Sequence, residues 1–253
     1  MESESRKMKY QIPTEVLKLN PRVFKYDING EIVYVKKREK NKKHFGHILQ
    51  SIIYKITKNP MLIPTVLSKN ENEVLFEIKK ILKLKKDEVN VPDILFSCED
   101  YFVMSDTGEN LKEYIKSHIE KKNFYVEKAL GELCRLHYKN NVHGGSQIRN
   151  FTIKDEKISL IDFEEKIPEK YIDEFKIRDL LVFILSLQKA GFDPDVKKIC
   201  KIYEEKTSKE VYEVLRKFLI KYKWIYFLNR GIFSKIRMKD VRDFIAVIEK
   251  VDK

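Results

Sequence analysis

The chain is short of the residues that usually announce a site. Three cysteines, Cys98, Cys134 and Cys200, are far apart and form no C-x-x-C pair. That spacing argues against a disulfide scaffold and a zinc site, and predicts inert thiols in a reducing compartment. No apolar run approaches the length needed to span a bilayer. The segment Met1 to Lys7 is polar with no long apolar stretch behind it, so no signal peptide is expected and the expected location is cytoplasmic. There is no internal repeat, and no low-complexity tract beyond the scattered lysines. Acids are the scarcer charge: 39 Asp and Glu against 51 Lys and Arg give a net charge of +12. A surplus of that size favours anionic partners such as nucleotide, nucleic acid, phosphorylated glycolipid or an acidic membrane leaflet. A plain compositional bias toward lysine accounts for it equally well.

What is present suffices for a substantial core, since 43% of the 253 residues are apolar. Val23 to Tyr26 and Glu31 to Lys36 read as strands around Asn29-Gly30, a two-residue hairpin signal. Lys36 to Lys43 holds six basic side chains and one acid. His44 to Ile56 has the spacing of an amphipathic helix ending by Asn59-Pro60, and Met61 to Thr65 is expected to be extended. Asn72 to Lys86 is predicted as a helix burying Val74, Leu75, Ile78, Ile81 and Leu82, capped by Ser68 or Asn70, with Glu77 bordering the stripe. Strands are expected at Ile94 to Phe96 and Tyr101 to Met104. The rest reads as helix: a stripe of Val126, Ala129, Leu130, Leu133 and His137, a buried helix through Leu180 to Leu187, and further helices over 196–253. Lys221 to Phe227 mixes basic and aromatic residues; stacking on bases or lying at a membrane interface are open. A core helix fits better, because Leu215, Phe218, Tyr222 and Ile225 fall at helical spacing.

One segment carries chemistry. His143-Gly-Gly-Ser-Gln-Ile-Arg-Asn150 leads into an apolar strand, a polar turn from Lys154 to Lys157, and Ile158-Ser-Leu-Ile-Asp162. The hairpin is expected to bring Asn150 and Asp162 together at one end. A neutral oxygen ligand beside a carboxylate suits Mg²⁺ carrying a polyphosphate.

With Lys36 ending a strand, Glu77 on a helix, His143 to Asn150, and Asp162-Phe163-Glu164 in that order, the chain resembles small kinase-like families related to lipopolysaccharide-core kinases and to the Bud-type atypical kinase of the KEOPS complex. The resemblance covers roughly residues 23 to 190. It implies an α+β, two-lobed protein-kinase-like fold, with a β-rich N-lobe over 1–104 and a helical C-lobe over 105–253. It implies an ATP-dependent phosphotransferase, with Asp162 and Asn150 catalytic and holding Mg²⁺. Lys36 would meet ATP phosphates with Glu77 holding it in place, and Arg149 would pair with phosphate. Lys37 and Glu73 are register alternatives. Asp179, after Arg178 at the opening of the buried helix, would brace the catalytic loop, and His143 would pack rather than transfer protons. The implied acceptor is a hydroxyl of a lipopolysaccharide-core sugar, a membrane-attached glycolipid met at the inner membrane face, or another hydroxyl; a protein or tRNA-linked role stands second.

Two departures bear on activity. No glycine-rich loop precedes Lys36, where Gly30 already belongs to the hairpin. The position two after His143, where those kinases carry the catalytic-base Asp, is Gly145. Glu164 stands where they place glycine, as a further metal ligand, an acceptor-orienting group or a surface charge. The alternatives are therefore a nucleotide-binding pseudokinase or scaffold and, less favoured, a basic nucleic-acid-binding protein.

Overall fold

The structure is a computed structural model that describes residues 9–38, 59–63, 72–223 and 239–251. The helix expected over 44–56 lies outside these residues, as does most of the basic and aromatic stretch 221–227. The protein is α+β, and the chain divides into two compact units, one of residues 1–108 and 152–167, the other of 109–151 and 168–253.

The first unit is built on an antiparallel sheet of order β1-β2-β4-β3, with β1 Val23–Ile28, β2 Glu31–Lys37, β3 Ile94–Ser97 and β4 Tyr101–Ser105. Asn29 and Gly30 both adopt positive φ (54° and 83°), as a tight hairpin turn demands. Strand alternation puts Val33 and Val35 on one face, where they pack with Tyr10, Ile12, Phe24, Tyr101 and Val103. A short helix α1 (Thr14–Leu19), absent from the sequence reading, belongs to this layer. By the same alternation Lys36 points to the opposite face, toward helix α2 (Glu73–Lys86), which lies against β3 and β4.

Helix α2 corrects two expectations. Its cap is Asn72, whose side chain accepts from the Val74 and Leu75 amides, rather than Ser68 or Asn70. Its buried stripe is Val74, Glu77, Ile78, Ile81 and Leu84, while Leu75 and Leu82 are 40% and 47% exposed. The stripe is rotated because Glu77 lies inside it. Pro60–Leu62 also departs from the extended reading: it is a 3₁₀ turn, with the Asn59 side chain accepting from the Met61 amide. Asn59-Pro60 starts a turn, since proline suits a first helical position.

Later in this unit Gly108 approaches the strand β6 (Phe151–Lys154) so closely that an added Cβ would lie 2.0 Å from the Ile153 carbonyl oxygen. Its neighbour β7 (Lys157–Leu160) follows a turn in which Asp155 and Glu156 both have positive φ. The Leu160 amide donates to the Asn90 carbonyl at 2.9 Å, which ties β7 to this unit.

The second unit is helical. After the two-residue strand β5 (Glu109–Asn110) come α3 (Leu111–Ser117), α4 (Lys122–Tyr138), α5 (Ile172–Lys189), α6 (Val196–Thr207), α7 (Tyr212–Lys221) and α8 (Lys239–Val251). Helix α4 packs on α6, and α5 on α8. The expected stripe on α4 is buried in full, and Leu215, Phe218 and Tyr222 are buried as helical spacing predicted. Among the described residues no helix is long and apolar enough to cross a membrane.

Candidate functional site

Lys36 and Glu77 form the centre of the first unit's polar cluster. Lys36 is 3% exposed and Glu77 2% exposed, which is tolerable only for partnered charges. The Lys36 Nζ lies 2.8 Å from Glu77 Oε1 and 2.7 Å from Oε2. It also lies 2.7 Å from Asp162 Oδ1 and 2.8 Å from Glu164 Oε1. One ammonium thus faces three carboxylates. Burial alone would lower the Lys36 pKa, but Glu77, Asp162 and Glu164 together hold it above the ordinary lysine value. Burial pushes the Glu77 carboxyl above its usual range despite the Lys36 charge.

The local backbone fixes each partner. Lys36 is held in register between Val23 on β1 and Phe102 on β4. Lys37, the register alternative, turns the other way and caps α1, donating to the Leu17 and Asn20 carbonyls at 2.6 and 2.7 Å. Glu77 Oε1 additionally accepts from the Phe163 amide at 3.1 Å, which positions the Asp162-Phe163-Glu164 segment against α2. Glu73, the alternative to Glu77, lies 3.8 Å from Arg22. Asp162 itself has φ 71°, an uncommon value for a residue with a side chain. Its side chain is 43% exposed, so the carboxylate that touches buried Lys36 also faces outward.

Sequence reading missed Arg22. Its Nη2 lies 2.6 Å from the same Glu164 Oε1 that meets Lys36. Nothing in the sequence marked it, because it precedes β1 rather than lying in a motif; its carbonyl accepts from the Lys37 amide at 2.8 Å.

The second unit holds the His143 loop. Asp179 is wholly buried and accepts from the backbone amides of His143 (2.7 Å) and Gly144 (2.9 Å). His137 Nε2 stands 3.2 Å from the same carboxylate, and its Nδ1 lies 2.8 Å from the Tyr203 hydroxyl. Burial would raise the Asp179 pKa, but His137 and the amides hold it below the ordinary value. Burial lowers the His137 pKa, so a neutral ring donating to Asp179 and accepting from Tyr203 fits the chain. Asp179 lies within α5, which starts at Ile172, so the placement at the opening of that helix is corrected. Eight residues upstream of Leu187 the helix is already formed, and Phe175, Lys176 and Asp179 continue its buried face.

Two serines complete the loop's anchorage. Ser146 Oγ donates to the Asp179 carbonyl at 2.6 Å, and Ser186 Oγ accepts from the Ile148 amide at 2.8 Å. Gly144 has φ 97°, a conformation that favours glycine. An added Cβ at Gly145 would meet nothing nearer than Asn150 Nδ2 at 3.9 Å. Asn150 is buried just before β6, its Nδ2 donating to the Gly145 carbonyl at 2.7 Å. With the donor end so engaged, the carbonyl end, Oδ1, is the one suited to meet a cation. Arg149 is exposed, and its carbonyl accepts from the Asn110 side chain at 2.6 Å.

The structure therefore gathers Lys36, Glu77, Asp162 and Glu164 in the first unit, while Asn150 and Arg149 belong to the second. Among the described residues, no group of three or more His, Cys, Asp or Glu side chains is arranged to hold a metal ion. Cys134 and Cys200 are buried, and burial pushes both thiols up to about 12. No family model matches the sequence. The chain is 27% identical over 157 residues to an uncharacterized protein of Haemophilus influenzae, a match that takes in 60% of this chain and 65% of that relative's length.

Proposed function

We propose that this protein is an ATP-dependent phosphotransferase of the kinase-like kind, with a two-lobed kinase-like fold and Mg²⁺ as its cation. The observation that carries the reading is the buried Lys36–Glu77 pair with Asp162 on the same ammonium. A buried lysine between carboxylates is costly to keep for stability alone. It suits the binding of a polyphosphate, whose negative charge would meet Lys36 while Glu77 keeps the side chain extended.

The residues fit the proposed cation in one respect that the geometry offers. Asp162 presents an outward-facing carboxylate in a cluster where three acids face one lysine, an excess of negative charge that a divalent ion would relieve. Asp162 is the residue of this cluster assigned to the ion, which would neutralise charge on the transferring phosphoryl group. Lys36 binds and orients phosphate, Glu77 and the Phe163 amide fix the segment that carries Asp162, and Asp179 holds the His143 loop rigid. Arg149 is assigned to phosphate. The proposed acceptor is a hydroxyl of an anionic, membrane-attached glycolipid such as a lipopolysaccharide-core sugar, supported by the family resemblance and the +12 charge.

Gly145 favours a second reading. The loop has room for a side chain there and supplies none, and general-base catalysis is typically worth roughly 10²–10⁴-fold. A nucleotide-binding protein without transfer would need no base. Radiolabelled ATP with a panel of sugar-hydroxyl acceptors, and a no-acceptor control for hydrolysis, separates the two. Transfer by the wild type that is lost in Asp162→Ala supports the phosphotransferase; equal rates for both proteins remove it.

A further inference from the structure

Lys36 Nζ and Arg22 Nη2 converge on a single oxygen, Glu164 Oε1, at 2.8 and 2.6 Å. Two cations within ion-pair distance of one charged oxygen describe an oxyanion site. Lys36 Nζ donates to Glu77 Oε1 and Asp162 Oδ1 and stands within ion-pair distance of Glu164 Oε1, so an incoming anion must displace one of these carboxylates. Glu77 is the least replaceable, being buried and also bound to the Phe163 amide. Asp162 is assigned to the cation. Glu164 is left: its side chain is 25% exposed, and departure returns it to water rather than stranding it. Arg22 is likewise 25% exposed, and Glu73 at 3.8 Å is a weak second partner. The chain has no glycine-rich segment before Lys36 whose amides could cover phosphate.

We infer that Arg22 and Lys36 form a two-cation cradle for a phosphate oxygen, and that Glu164 fills this cradle as an internal, displaceable stand-in. The inference rests on the proposed phosphotransferase reading for its natural ligand, a nucleoside triphosphate. The cradle itself recognises only the polyphosphate. Arg22 is then a binding residue that supplies the cation a glycine-rich loop would have replaced with amides, and Glu164 sets how tightly the free protein competes for its own site.

The test is calorimetric titration of the full chain, as wild type, Arg22→Ala, Arg22→Lys, Glu164→Gln and the Arg22→Ala/Glu164→Gln double variant. The probes are inorganic tripolyphosphate and Mg-ATP, with thermal melts to show that each protein is folded. Removing a charged hydrogen-bond partner predicts roughly tenfold weaker binding of both probes by Arg22→Ala. Glu164→Gln is expected to bind tripolyphosphate about tenfold more tightly than the wild type, by loss of the competing charge. The double variant should bind more weakly than Glu164→Gln alone. Should Arg22→Ala melt below the assay temperature, Arg22→Lys and Glu164→Gln carry the test, with Arg22→Lys weakened only in part.

Equal affinities for the double variant and Glu164→Gln would overturn the cradle, because Arg22 would then only restrain Glu164. Binding by Arg22→Ala within twofold of the wild type would overturn it too. Tripolyphosphate binding that depends on Arg22 and Glu164, with no Mg²⁺-dependent ATP binding lost in Asp162→Ala, supports the cradle and removes the phosphotransferase reading. ATP binding that needs Asp162 and ignores Arg22 does the reverse.

Discussion

Lys36 shows how a residue's surroundings decide its use. A lone lysine at a strand end reads as the start of the basic run that follows it, and only its strand parity separates it from Lys37. The structure sends Lys36 into the sheet's helix-facing side and Lys37 onto the α1 carbonyls. Lys36→Met should cost about 3–5 kcal/mol of stability at neutral pH, because three carboxylates lose their shared cation. The cost should shrink on acidification. Glu77's folded pKa lies above its unfolded value, so its ionisation opposes folding as pH rises through that window, and protonation below it relieves the strain. Denaturant midpoints at several pH values measure this. His137 has the opposite sign: burial lowers its pKa from the ordinary 6.5, so stability is present above 6.5 and is lost as pH falls below it. His137→Gln should flatten the stability profile in the window just below that value. Glu77 was legible in the sequence as a helix glutamate but not as a buried one, since burial of a carboxylate is favourable only with a partner that lies 41 residues away. Arg22 was not legible at all.

At the level of elements, local chemistry carried the strands and most of the helices. Asn29-Gly30 specified its turn because both residues must take positive φ, and the alternation of Val33, Val35 and Lys36 specified the two sheet faces. The α2 stripe was misread by part of a turn, because hydrophobic spacing ranked Leu75 and Leu82 above Glu77. Helix α1 escaped notice, being six residues long with no residue fully buried. Helix α5 was recognised from its apolar end only; its start lay hidden in the charged segment Ile172-Asp-Glu-Phe-Lys-Ile-Arg-Asp179, whose inward side carries the loop's brace. The segment Ser105-Asp-Thr-Gly108 reads as a polar turn in the sequence, but nothing there marks how closely Gly108 approaches Ile153. Gly108→Ala should destabilise the protein by at least about 2 kcal/mol, since φ is +95° and the added Cβ would collide with the Ile153 carbonyl. Gly145→Asp, in contrast, should leave the melting temperature within a few degrees of the wild type, because a Cβ there meets nothing nearer than 3.9 Å. If proton acceptance limits transfer, the same variant should raise the rate.

For the molecule as a whole, the sequence indicated the α+β class, a charged surface and a division near residue 104, but not that a later segment returns to the first unit. The segment 152–167 is separated in sequence from the first unit yet belongs to it, and it brings Asp162 and Glu164 to Lys36. Residues 1–108 expressed alone should therefore lack cooperative unfolding, because Lys36 would lose Asp162 and Glu164 and Gly108 would lose its strand. Restoring 152–167 as a linked segment should recover it. The excess of basic residues fits an anionic ligand without naming one, and that is as far as composition reaches. The decisive measurement is equilibrium binding of ATP to the full chain with and without Mg²⁺, in the wild type and in Asp162→Ala. Binding that strengthens at least tenfold with Mg²⁺ in the wild type, and loses that gain in the variant, is the expected result. Affinity that ignores both the cation and Asp162 would contradict it.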